Sequence, residues 1–580
     1  MSLILFLAVS GVVLALAYRW YGRLLARFLE LDGTVRTPAH TRRDGLDYEP
    51  ARTSWLLPQH FSAIAAAGPI VGPILAATYF GWLPAWLWII FGAIFIGGVH
   101  DMMTLVASVR HDAKSIAEVV RRYMNRRSYV LFLAFIWISL VYVIIAFADV
   151  TAGTFVQKAS VADAAAPGPA VATSSILYLG LAIVMGLCMR RFGLGEGKAQ
   201  LIFLPLVLVA IVAGPYLPFD LGAVTGSARP QLLWDYLLLG YCFLAALSPV
   251  WLLMQPRGAL GGYFLYVIVV VGVVGVVVGG LSGNVSIVAP AVSQADLFGF
   301  TGAIPPLLPV LFITIACGAC SGFHSIVASG TTSKQLNRET DARAVGYGGM
   351  LLESFLACLS LATVMILAKP TGRPDLTYAD GVAIFMNQAT FGLISVEVAR
   401  QFGLLCFATF VFDTLDACTR LARYVLMELT GWTSRRGMVL ATGLTLLLPA
   451  LVVSLPPAVV GGQPLPVWRA FWNLFGTSNQ LLAALALLGV TVWLHRRGRP
   501  VWITLGPTIF MLVMTLWSLL ISVQTHLGRV RTGTAAAVHH VEFSVVVLLS
   551  AMAVWLVVEA LLLARQRPPA APLVPEPRTA

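Results

Sequence analysis

The stretch Leu57 to Tyr79, LPQHFSAIAAAGPIVGPILAATY, is apolar and long enough to enter a bilayer, yet Gly68-Pro69 and Gly72-Pro73 interrupt it twice. Proline removes a backbone donor and clashes with the preceding turn, so a helix breaks or kinks there. In hydrocarbon an unwound turn leaves N–H and C=O groups unpaired, at several kcal/mol each. It survives only where protein buries it or where it lines a watery cavity. Membrane proteins that move solutes use broken helices of this kind to hold ions and ligands near the midplane. A plain proline kink is the simpler alternative. Two Gly-Pro pairs and the titratable His60 in one segment favour a functional break.

Composition sets the class. The chain is 58% hydrophobic and only 11% charged, with a mean hydropathy of +0.85, whereas soluble domains carry about 25% charged residues. An all-α polytopic membrane protein is expected, with the lipid bilayer as its main partner. Seven cysteines lie in or beside apolar runs, an odd number that does not suggest a disulfide framework. Cys317-Gly-Ala-Cys320 matches a CxxC pattern, but no thioredoxin-like strand precedes it, and small residues at helix spacing permit close helix packing.

About fifteen apolar spans are legible, the first at 3–21, the second at 55–79, the seventh at 232–254, the ninth at 303–325, the eleventh at 400–420 and the last at 541–563. Each is near the roughly 17–25 residues that cross a ~30 Å hydrocarbon core. The net charge of +12 is a topology signal and not a nucleic-acid footprint. Even loops hold Lys158, Arg229, Lys369, Arg373, Arg400, Arg469, Arg529 and Arg531, leaving 30 of the 38 basic residues to the odd loops and the tail. By the positive-inside rule the odd loops and the C-terminus are cytoplasmic and the N-terminus is outside. The first residues lack a basic n-region and a cleavage site, so a retained first helix is expected. The proline-rich tail 566–580 is expected to be disordered.

Several stretches carry a family resemblance: DGLDYEP (44–50), HFSAIAAAGPIVGP (60–73), ITIACGACSGFHSIVASGTTSKQL (313–336), YGGMLLESF (347–355), DTLDACTRLARY (413–424) and FGTSNQLLAALALL (475–488). Taken together and in this order, the chain resembles the carbon starvation protein A family of bacterial inner-membrane transporters, associated with peptide and pyruvate uptake. It departs from the family in carrying Gln59 where a second histidine is frequent, His100 where glutamine is frequent, and a shorter loop around 370–399. The resemblance implies kinship with the amino acid–polyamine–organocation superfamily, whose core is two inverted five-helix repeats. The expected topology is compatible with that core: repeats at 55–217 and 232–425, the first helix and loop (1–54) ahead of them, and peripheral helices at 426–565. In this scheme Ser248-Pro249 interrupts the seventh span as Gly68–Pro73 interrupts the second, and the two breaks face each other near mid-membrane. Half-helix N-termini suit a carboxylate, a group common to pyruvate and peptide C-termini. Candidate substrate contacts are His60, Ala67, Gly68, Gly72, Ser248 and His324.

Coupling to an ion needs further groups. Ser321, Ser329, Thr331 and Thr332 lie in a run crowded with small and hydroxyl residues that could ligate sodium, although Ser and Thr in membrane helices also bond their own i−4 carbonyls. Ionisable residues inside spans cost about 2.5–3.5 kcal/mol at a helix centre and invite a functional explanation. They are His60, His324, Glu353, Asp413 and Asp416, with Asp101 placed near an interface beside His100. Asp413 and Asp416 share a helical face, and Arg420 at i+4 can pair with Asp416. Proton coupling through His60 or Asp413 is expected, with sodium as the alternative and a channel or sensor on a transporter scaffold as the competing class. His60, His100 and His324 lie on separate spans without a paired ligand motif, and no P-loop is present. Neither a metal, a cofactor, an enzymatic activity nor a nucleic-acid partner is expected. One prediction concerns sidedness: a single cysteine at Ser115→Cys, in the loop 109–127, should react with impermeant maleimide from the cytoplasmic face only.

Overall fold

The computed structural model describes residues 2–565 apart from 45–46, 66, 157–166, 294–305, 371–372, 457, 461–462, 466 and 536. The expected disordered tail at 566–580, and 294–302 of the loop 283–302, which follows the eighth span and is expected outside from the pattern of basic residues, lie outside the described residues. Among the described residues thirteen helices are long and apolar enough to cross a membrane, or fourteen when the bent pair Thr53–Ile64 and Gly68–Phe80 counts as one span. The only strands among them are Ala458–Val460 and Gln463–Leu465, an antiparallel hairpin with Ala458 opposite Leu465. The fold is therefore that of an all-α polytopic membrane protein.

Its most enclosed helix is Val396–Thr430, which packs against Arg126–Phe155, Pro374–Ala389 and Met254–Leu281. Ser395 caps its start by accepting from the Val398 N–H, and Gly431 ends it in the left-handed conformation at φ +73°. Asp413, Asp416 and Arg420 are buried on this helix, so these charges point into protein and away from lipid.

The first break differs in detail from the expectation. Thr53–Ile64 ends at Ala65, whose ψ of 61° leaves the helical region, and the next helix begins at Gly68. Gly68–Pro73 is thus helical, and the departure from helix that the structure describes is at Ala65, before it. Proline explains the shift: in a first turn its missing N–H has no intrahelical partner to lose, so Pro69 starts a helix more easily than it interrupts one. The two halves are bent by 45°.

The second break is not at Ser248. That residue closes the helix Pro230–Leu247 and stands in the turn leading to Met254–Leu281, so the expected seventh span ends at Ser248 instead of continuing through it. A residue before proline is driven out of the α region, and here that ends the helix. The interruption lies instead in the expected ninth span, which is two short helices, Leu307–Thr314 and Gly322–Val327, with 315–321 unwound and Gly318 at φ +85°. Among the described residues neither short helix of this ninth segment is by itself long enough to count as a span. Six spanning helices separate the two breaks, so their spacing is not that of the expected Gly68/Ser248 pair.

The two interruptions pack directly on each other. A Cβ added to Gly68 would lie 2.3 Å from Cys317 Cβ, and one added to Gly72 would lie 2.6 Å from the Thr314 carbonyl oxygen. Such proximity shields unpaired backbone groups from lipid, the condition on which a break in hydrocarbon depends. Gly68→Ala should therefore lower stability by about 1–3 kcal/mol through overpacking. Gly180→Ala, where an added Cβ meets nothing within 4 Å, should not. Thermal unfolding of the detergent-purified variants checks both.

Candidate functional site

A cavity of about 30 Å³ opens beside the first break, lined by His60, Ser62, Arg257, Thr332, Asp413 and Asp416 among others. That volume accommodates about two waters. The helix Thr53–Ile64 supplies His60 and Ser62, Met254–Leu281 supplies Arg257, and Val396–Thr430 supplies both aspartates. Thr332 closes the π-helical turn Ala328–Thr332 that follows the second break.

Arg257 dominates the electrostatics. It is 1% exposed, yet its Nε pairs with Asp413 and its Nη1 with Asp416. Tyr241 bridges the group: its hydroxyl donates to Asp416 Oδ2 at 2.6 Å and accepts from Arg257 Nη1 at 2.6 Å. Ser62 Oγ donates to the other oxygen of Asp413, Oδ2, at 2.9 Å. Gly261, one turn beyond Arg257, leaves room for this meeting, since a Cβ there would come within 2.5 Å of both Asp413 Oδ2 and Ser62 Oγ. Arg257 Nη2 has no hydrogen-bond partner, and neither does His60 Nε2. His60 Nδ1 lies 2.9 Å from Thr332 Oγ1.

These contacts correct the expected Asp416–Arg420 pair. Arg420 donates to the carbonyls of Ala245 and Ser248, both at 2.7 Å, and thereby anchors the turn after Pro230–Leu247. Ser248 is consequently a turn residue held through its carbonyl, and it is not among the residues lining the cavity. Ala67, Gly68 and Gly72 form the neighbouring break and the start of the next helix and do not line the cavity either. Of the hydroxyl residues, Ser329 and Thr331 donate to the i−4 carbonyls of Ser325 and Val327. Ser329 also accepts from the Ile116 N–H, whereas Thr332 faces His60, so these oxygens address different neighbours.

A second polar cluster is buried at the other break. His324 Nδ1 lies 2.7 Å from Asp101 Oδ2, and His100 Nδ1 lies 2.7 Å from Asp101 Oδ1. His324 Nε2 faces Glu353 Oε2 at 3.2 Å, and Glu353 Oε1 accepts from the unwound Gly318 N–H at 3.0 Å. Asp101 is fully buried among protein side chains. Asn479 fills the gap left by the break: its Oδ1 accepts from the Phe323 N–H at 2.8 Å and its Nδ2 donates to Ser321 Oγ at 2.9 Å.

Sequence reasoning missed Arg257 and Asn479. Arg257 follows Gln255-Pro256, which reads as the end of a span, so its charge was assigned to a loop. Its acidic partners lie more than 150 positions away, as the Arg257–Asp416 separation of 159 records. Only Asp413, an aspartate in the eleventh span with Ala417 and no basic residue one turn on, hinted that a distant cation was needed.

Comparison with known proteins places the chain. The family model for carbon starvation protein CstA matches residues 2–373 and 368–518. The peptide transporter CstA of Escherichia coli K12 is 32% identical, over 88% of this chain and 80% of its own length. The pyruvate/proton symporter BtsT of the same strain is 31% identical, over 89% and 81%. Among solved structures, a mutant of the Eremococcus coleocola manganese transporter is similar at a TM-score of 0.49 and 12% identity, covering 90% of this chain and 99% of that one. With a family model spanning most of its length and relatives above 30% identity, the chain belongs to the carbon starvation protein CstA family.

Proposed function

We propose that the chain is a secondary active transporter that takes up small carboxylates such as pyruvate, and/or short peptides, together with a proton, across the bacterial inner membrane, serving cells short of carbon. In this proposal the N-terminus is outside and the C-terminus cytoplasmic. One observation carries it: a buried guanidinium, Arg257, keeps one nitrogen uncommitted while two carboxylates hold the others, beside a cavity at a helix break.

A guanidinium presents its donors as a planar fork that fits a carboxylate. A substrate carboxylate entering the cavity takes Arg257 Nη2 and competes with Asp413 for Nε. Asp413, displaced yet still buried, retains only the Ser62 hydroxyl, and an isolated carboxylate in such surroundings is neutralised by a proton instead of staying charged. The anion and the proton then cross together with no net charge. Asp416 stays paired through Arg257 Nη1 and the Tyr241 hydroxyl and keeps the guanidinium in place. His60, with Nδ1 on Thr332 and Nε2 free, is the group from which the proton reaches Asp413. The cavity holds about two waters, so even pyruvate requires it to widen, and a peptide requires it to widen further. Sodium coupling is the second reading: Thr331 and Thr332 both line the cavity, and the Thr331 hydroxyl, which donates to the Val327 carbonyl, keeps its oxygen lone pairs for a cation.

Uptake into proteoliposomes tests this. Pyruvate should accumulate with an inward proton gradient. Asp413→Asn should still exchange labelled for unlabelled pyruvate, yet fail to accumulate it against a gradient. His60→Gln should bind substrate and slow accumulation driven by pH. If both variants accumulate pyruvate with undiminished proton dependence, or if wild-type uptake follows sodium and ignores pH, the proposal fails. Arg257→Lys keeps the charge but loses the fork. It should raise KM about 10–100-fold, the loss of one charge-assisted hydrogen bond worth about 1.5–3 kcal/mol; measured initial rates against pyruvate concentration check it.

A further inference from the structure

We infer that Cys317, His324 and Glu353 form a binding site for one zinc ion that ties the second helix break together. One sulfur, one imidazole nitrogen and one carboxylate oxygen from these residues lie within 4.8 Å of one another, and the side chains are 0–2% exposed. Their geometry is not that of a finished hydrogen-bond network. His324 Nε2 and Glu353 Oε2 stand 3.2 Å apart, but neither atom has a hydrogen-bond partner. The two atoms meet as an ion pair without hydrogen-bond geometry, as Arg257 Nε and Asp413 Oδ1 also do, so this buried pair is incompletely satisfied as it stands. Two ligands each about 2.0–2.1 Å from a tetrahedral ion lie about 3.3 Å apart, which is the separation found.

The surroundings match a metal's outer shell. A ligating histidine donates its other ring N–H to a carboxylate, and His324 Nδ1 lies 2.7 Å from Asp101 Oδ2. Asp101 is itself held by His100. The free oxygen of Glu353 is oriented because its partner oxygen accepts the Gly318 N–H. Asn479 Nδ2 points at Cys317 Sγ from 3.5 Å, a donor suited to a thiolate. Sulfur with imidazole and carboxylate selects zinc over magnesium, calcium or manganese, which prefer all-oxygen shells. Three protein ligands leave a fourth position for water. The ion bridges the unwound segment through Cys317, the following helix through His324 and the helix Gly349–Met365 through Glu353. No motif announces it, because the ligands are spaced by seven and then twenty-nine residues on separate elements.

Metal analysis of the full chain, purified in detergent without chelator and equilibrated with zinc, tests the site. The wild type should hold one zinc per chain, and Cys317→Ser, a near-isosteric change, should lose most of it. Asp101→Asn should bind zinc about 10–100-fold more weakly. Cobalt in place of zinc should give a thiolate-to-metal charge-transfer band that Cys317→Ser abolishes. Because variants can misfold, the wild type alone provides a second readout: zinc should raise its melting temperature after chelation, and magnesium should not. A wild type that holds no stoichiometric zinc, or a Cys317→Ser protein that retains it together with the cobalt band, overturns the inference. Neither outcome touches the proton-coupled reading, which rests on Arg257 and Asp413.

Discussion

A guanidinium enclosed in a membrane protein has to be met by charge, and the centre of this molecule is arranged around that requirement. Arg257 joins three spanning helices: its own, Met254–Leu281; Val396–Thr430 through Asp413 and Asp416; and Pro230–Leu247 through Tyr241. Removing one partner of such a group leaves an uncompensated buried charge, at about 3–5 kcal/mol. The same penalty is what makes it usable. If a substrate carboxylate substitutes for Asp413, the guanidinium remains satisfied, and the cost falls on the displaced aspartate until a proton neutralises it. Structural necessity and ion coupling then share one interaction.

The two helix breaks give this exchange its setting. Each leaves backbone groups that lipid cannot satisfy, and each is covered by the other: Gly68 sits against Cys317 and Gly72 against the Thr314 carbonyl. The remainder is filled by side chains, with Glu353 taking the Gly318 N–H and Asn479 the Phe323 N–H. The His60–Thr332 contact links the helix before the first break to the turn after the second, so a change at the cavity reaches both interruptions. Such a coupling belongs to the proposal, and it accounts for an otherwise unexplained pairing of a histidine and a threonine 272 positions apart.

What could be read from the sequence was local. Hydrophobicity and the scarcity of charge sufficed for the class, and the Gly-Pro pairs located a break to within a few residues. His60, Asp413 and Asp416 stood out because ionisable groups are rare in spans, and all three line the cavity. The errors came from contacts between distant segments. Ser248-Pro249 has the same local signal as a mid-span break, and only the helix beginning at Met254 shows it to be a turn. Arg420 satisfied an i+4 rule, yet two carbonyls on another helix claimed it. Arg257 looked like a loop charge because its partners lie on a helix far along the chain. The run around Cys317 carried no proline, so the second break had no marker as strong as the first; Gly318 and Gly322 were its only local signs.

The exchange at Arg257 predicts a proton balance that can be measured without a membrane. Titration calorimetry of pyruvate into the detergent-purified protein, repeated in buffers of different ionisation enthalpy near neutral pH, counts the protons taken up per anion bound. The account predicts net uptake approaching one proton per pyruvate in the wild type and a value near zero in Asp413→Asn, with binding retained in both. Tight binding to the wild type with no buffer dependence would contradict it, because the displaced aspartate would then have remained charged.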